Sequence, residues 1–120
     1  MTETQNTKQY NLEERTFTFA KNVRGFIKKM PKNIINMDDL KQLIRSSGSV
    51  GANYIEANES LSKKDFLMRV KICRKEAKET IYWLNLLDTN DEESEKSRKL
   101  LIKECTELMK IFGAIIEKSK

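Results

Sequence analysis

The chain has 120 residues, 34% of them charged and 38% hydrophobic, with a net charge of +5; this balance fits one soluble domain whose helices bury one face and expose another. One proline, four glycines and no histidine leave too little turn punctuation for a multistranded sheet, no usual zinc-ligand pattern and no Ser-His or Cys-His arrangement. No apolar run approaches the roughly 20 residues of a bilayer span, and the leading MTETQNTKQY is polar, so a cytoplasmic protein is expected, neither membrane-spanning nor secreted.

Residues 1–9 read as a mobile polar tail ahead of a single domain over 10–120. The first helix is predicted over 11–30, where Leu12, Thr16, Phe19, Val23, Phe26 and Met30 step by four and three and Pro31 ends the run. Asn36 followed by Asp39 reads as an N-cap with its box partner, opening a second helix over 37–59. Its inward face is expected to hold Leu40, Leu43, Ile44, Ser47, Gly51, Tyr54, Ile55 and Asn58. Ser62 with Asp65 is a second such signal and opens a third helix over 63–88, with Phe66, Val70, Cys73, Ala77, Ile81, Leu84 and Leu87 inward. The fourth, over 91–118, begins with Glu92, Glu93 and Glu95 at the positive end of the helix dipole and finishes near Lys118 and Lys120. Four helices joined by short connections give an all-α, antiparallel up-down-up-down four-helix bundle as the simplest architecture.

The fourth helix carries more apolar residues than one face holds. Leu101, Cys105, Leu108, Phe112 and Ile115 make one stripe, while Ile102, Met109 and Ile116 make another, and Phe17 lies off the core stripe of the first helix. These four, Phe17, Ile102, Met109 and Ile116, are candidate residues for an interface between subunits. In the second helix, Ser47, Gly48 and Gly51 fall in a small-residue segment where each glycine costs about 1 kcal/mol relative to alanine, which points to a close helix crossing. Gly48 to Gly51 also has the GxxG spacing of KH domains, but that loop needs a mixed sheet and helix fold, and no strand is available.

The basic excess lies in residues 8–32 and 61–88. Phe17, Lys21, Arg24 and Lys28 line one stripe of the first helix; Lys64, Lys71, Lys75, Lys78 and Tyr82 line one of the third. The lysines and Arg24 are candidate phosphate contacts, since like charges three and four apart repel unless a partner or Glu79 screens them. On diagonal corners of a bundle these stripes cannot merge within one subunit. Arg45 and Glu56 stand about 16 Å apart along their helix and must find partners elsewhere, while Tyr82 and Trp83 read as packing groups with a hydrogen-bonding edge. Cys73 and Cys105, without CxxC spacing, read as reduced buried thiols. Nothing in the pattern marks a catalytic residue, a metal site or a cofactor.

The run LIRSSGSVGANYIEANESLSKKDFLMRVKICRKEAKETIYWLNLL (Leu43–Leu87), the segment ELMKIFGAII (Glu107–Ile116) and Leu12 to Ala20 resemble the bacterial four-helix-bundle family named for 23S rRNA intervening sequences. The departure is Leu12, where an aromatic residue is common. Members of that family are similar to the accessory variability proteins of diversity-generating retroelements. That resemblance implies a basic homopentamer binding RNA or DNA and a reverse transcriptase, with the exposed lysines and arginines on phosphates. The expected function is a non-catalytic accessory or scaffold protein, and the alternative is an adaptor docking an acidic protein.

Overall fold

The computed structural model describes the backbone of residues 2–120 and the side chains of residues 12–120; the helix expected over 11–30 starts nine residues earlier, at Thr2, so residues 2–9 of the expected tail are helical, and residue 1 lies outside the described residues. Four helices follow one another, α1 (Thr2–Lys28), α2 (Ile34–Asn58), α3 (Lys63–Leu86) and α4 (Glu92–Lys118), and no strand occurs among the described residues. The adjacent pairs are α1 with α2, α2 with α3, α3 with α4 and α4 with α1, while α1 with α3 and α2 with α4 are diagonal pairs whose backbones are not neighbours; across the second diagonal, core side chains such as Tyr54 and Phe112 still meet, ring centroids 6.0 Å apart. The helices therefore occupy four corners around one core.

Helix ends follow local chemistry. α1 stops two residues short of the expected end, because the residue before a proline is pushed out of helical conformation. Lys32 Nζ instead donates to the carbonyls of Ile27, Lys28 and Met30 at 3.0–3.2 Å, satisfying acceptors that the helix leaves open. The expected Asn36 cap is corrected: Asn33 caps α2, its side chain accepting from Asn36 N at 2.9 Å. Ser62 and Asp91 cap α3 and α4 through Asp65 N and Ser94 N.

The core joins Leu12, Phe19, Val23, Leu43, Val50, Val70, Leu84, Leu108 and Phe112 among others. Two stripes depart from expectation. On α2 the inward face is Leu40, Leu43, Ser47, Val50, Tyr54 and Ala57, stepping by three and four. Ile44 and Ile55 are 38% and 50% exposed, on a second stripe beside it with Gly48 and Gly51. On α4 the stripe Leu101, Cys105, Leu108 and Phe112 continues four residues on to Ile116, which is 2% exposed. Ile116 is thus a core residue and not an outward interface residue, whereas Ile115 is partly buried at the core's edge. Buried polar groups are all partnered among the described residues: Thr80 Oγ1, for instance, lies 2.8 Å from both the Ser46 hydroxyl and the Glu76 carbonyl.

Candidate functional site

Arginines and lysines divide into two groups. Arg15 on α1 forks onto Glu104 of α4 at 2.7 and 2.8 Å and reaches Glu107 at 2.7 Å; these charge-assisted bonds raise its pKa, with Glu104 the largest cause. Arg45 of α2 bonds Glu76 at 3.2 Å and also Glu79, both on α3, so the interhelical partner its position required is present. Arg98 is 12% exposed along its side chain. It donates to the carbonyls of Leu84 (2.8 Å) and Leu87 (2.5 Å) at the end of α3, and pairs with Glu95. These three arginines hold the bundle together.

The seven candidate phosphate contacts behave differently. Lys21, Arg24 and Lys28 on α1 and Lys64, Lys71, Lys75 and Lys78 on α3 are all exposed, and none is in an ion pair among the described residues. Glu79 forms no ion pair with the α3 stripe and screens it only through the nearby charge of Lys75, because its carboxylate accepts from Trp83 Nε1 at 3.0 Å and from Arg45. Those bonds, Trp83 first, hold the Glu79 carboxyl below its ordinary pKa. Trp83 packs against the core; Tyr82, edge-on to it with centroids 5.0 Å apart, is 58% exposed on the lysine stripe, as is Met68 at 53%.

The α1 stripe borders a groove between α1 and α2 of about 320 Å³, lined by Phe17, Ala20, Lys21, Arg24, Gly48, Gly51, Ala52 and Ile55 among others. Its shape follows from small residues. A Cβ on Gly51 would stand 2.8 Å from Thr16 Oγ1, so α1 and α2 cross there at a distance only glycine permits. A Cβ on Gly48 would meet only the Arg24 guanidinium, at 3.9 Å. Buried Ser47 bonds back to the Ile44 carbonyl at 3.3 Å. Phe17 is 64% exposed at the groove, whereas Ile102 and Met109 are partly buried against the core. Since α1 and α3 stand on a diagonal of the bundle, the two basic stripes stay apart within one chain.

At one end, Asn36 is fully buried and donates to the carbonyls of Asp88 (3.0 Å) and Pro31 (3.2 Å) while accepting from Asp88 N (3.1 Å). The α1–α2 and α3–α4 connections are thereby tied together. Nothing in the sequence marks this bond, but a signal for Arg98 exists: a cation in the first two turns of α4 opposes the helix dipole and needs acceptors elsewhere. Cys73 and Cys105 are buried free thiols, and burial pushes both up to about 12. Among the described residues, no group of three or more His, Cys, Asp or Glu could hold a metal ion, and no helix is long and apolar enough to cross a membrane.

Residues 8–114 match the family model of the 23S rRNA-intervening sequence protein. The chain is also similar to a crystal structure of a protein of unknown function from the S23 ribosomal protein family of Bacteroides thetaiotaomicron VPI-5482. The two share 30% identity with a TM-score of 0.73, over 88% of this chain and 97% of that one. No curated protein matches.

Proposed function

The chain belongs to the 23S rRNA-intervening sequence protein family, and we propose that it is a non-catalytic, homo-oligomeric accessory or scaffold protein that binds the phosphate backbone of RNA or DNA without reading sequence. The neighbouring pairs Thr16 with Gly51, Arg45 with Glu76 and Cys105 with Ala77 support an antiparallel, up-down-up-down reading of the bundle. A homopentamer is the assembly we favour.

One observation carries the nucleic-acid reading: the arginines Arg15, Arg45 and Arg98 are consumed by internal partners, while the α3 stripe of Lys64, Lys71, Lys75 and Lys78 has none among the described residues. Repelling cations left open along a helix are stabilised by an external polyanion. Phosphate contacts of this kind position a protein without selecting bases. The test is fluorescence anisotropy with labelled duplex and single-stranded oligonucleotides over a salt series. Log affinity should fall linearly with log salt, by about 0.9 per phosphate neutralised on duplex DNA; binding that vanishes at physiological salt would sink the reading.

The apolar groove beside Lys21, Arg24 and Lys28 favours the alternative, an adaptor docking an acidic protein. A partner retained from nuclease-treated lysate, bound more tightly than any oligonucleotide, would establish it.

A further inference from the structure

We propose that the groove between α1 and α2 seats a second copy of this chain, whose acidic α3–α4 connection meets the groove's basic rim. The inference rests on the homo-oligomeric part of the proposed function and names its contact surfaces.

The groove has the features of a protein interface. Its lining includes the small residues Ala20, Gly48, Gly51 and Ala52, which leave it open to an incoming side chain. Phe17 and Ile55 stand 64% and 50% exposed beside it. On α2, Ile44, Gly48, Gly51 and Ile55 repeat at steps of four, three and four, the spacing of a helix-packing seam. Within the chain the glycines of this seam face α1, Gly51 against Thr16 and Gly48 beside the Arg24 guanidinium, so a second copy would meet its exposed flank, Ile44 and Ile55 with Ala52. A phosphate chain would gain nothing from such a lining, whereas an apolar side chain would lose its water there.

Charge selects the occupant. The rim carries Lys21 and Arg24, with Lys28 in the adjoining hollow, against one carboxylate, Glu13, which accepts from Asn58. The same chain presents the complement: Asp88, Glu92 and Glu93 are exposed at the α3–α4 connection, in no ion pair among the described residues, beside Leu86, which is 46% exposed. The Asn36–Asp88 bonds put this connection at the same end of the bundle as the α1–α2 connection. The acidic patch and the groove nevertheless lie on opposite sides, because α1 and α3, and α2 and α4, are the diagonal pairs of the bundle, so that the α1–α2 side faces away from the α3–α4 side. Copies standing side by side in one sense therefore bring the acidic patch of each against the basic rim of the next. Unlike patches on opposite sides make a heterologous contact, which closes into a ring when the rotation permits. The α1 cations are then used between subunits, and the α3 lysines remain outward for phosphate.

The experiment uses charge reversal and rescue on the full chain, with subunit number from light scattering and dissociation from sedimentation. Arg24→Glu with Lys28→Glu should move dissociation to concentrations about tenfold higher or more, and so should Glu92→Lys with Glu93→Lys. Combining all four should restore assembly. Phe17→Glu should weaken it through the apolar part. All five positions are exposed, and far-UV circular dichroism checks that each variant stays helical. An oligomer whose dissociation ignores these changes, or reversals at Arg24 and Lys28 that lower oligonucleotide affinity while leaving assembly intact, overturns the proposal. A monomeric wild type overturns it together with the oligomeric part of the proposed function, while phosphate binding by the α3 stripe is read separately on the same samples.

Discussion

Gly51 and Thr16 meet so closely that a Cβ on the glycine would stand 2.8 Å from Thr16 Oγ1 and 3.2 Å from its Cβ. Thr16 is fully buried and its hydroxyl bonds the Glu13 carbonyl at 2.9 Å, so it cannot swing away. Overpacking of this kind costs about 1–3 kcal/mol, which outweighs the gain of about 1 kcal/mol in helix propensity. Gly51→Ala should therefore lower the melting temperature. Gly48→Ala, which meets only a flexible guanidinium at 3.9 Å, should raise it. Thermal melts of the two variants check the opposite signs.

Removing Arg98 uncovers the carbonyls at the end of α3. Arg98→Met keeps much of the side chain's bulk but none of its donors, and a loss of about 2–3 kcal/mol is expected, as for a hydrogen bond involving a charged group. Urea denaturation measures it, and an unchanged midpoint would mean that water replaces the guanidinium.

Asn36→Leu should cost about 1–3 kcal/mol, because the Asp88 amide and carbonyl lose the partner that fully buried Asn36 supplies. Hydrogen exchange should show faster amides at the α3–α4 connection in this variant, while the centre of α2 stays protected.

Stability should depend on pH at both extremes. Burial raises Cys73 and Cys105 from 9.0 to about 12. Their contribution is thus present below about 9 and lost as pH rises toward about 12. Glu79 is displaced the other way by Trp83 and Arg45; its contribution is present above the ordinary carboxyl value and fades as pH falls through the lowered one. Cys73→Ala should flatten the alkaline limb of a stability profile, and Arg45→Met the acid limb. At pH 8 neither native thiol should react with a thiol reagent until the chain unfolds.

With one phosphate per lysine in the proposed binding mode, Lys71→Glu with Lys75→Glu should weaken oligonucleotide binding across all sequences alike and reduce the salt slope by about 2 on duplex DNA. Both side chains are exposed, so the melting temperature should hardly move. Unchanged affinity would remove the α3 stripe from the binding surface.

The number of helices, their approximate ends apart from the start of α1, and most of the core were legible in the sequence, because a helix repeats about every 3.6 residues and its caps are local hydrogen bonds. Ser62 with Asp65 marks the start of α3, and Val70, Cys73, Ala77 and Leu84 mark its buried face. Local periodicity could not choose between two interleaved stripes. On α2 both Val50 and Gly51, and on α4 both Ile115 and Ile116, lie within reach of a core, and a step of one residue rotates a side chain by about 100°. The packing of neighbouring helices decided which went inward.

Composition and pattern by themselves determined that this is an all-α chain with two basic stripes, since charge and periodicity are properties of the residues in order. Which cations remain available only the tertiary structure decided. Arg15 and Glu104 lie 89 positions apart, and Asn36 and Asp88 lie 52 apart. Such pairs exist only once the chain has folded back on itself, and the lysines left without internal partners are those the closed bundle turns toward solvent.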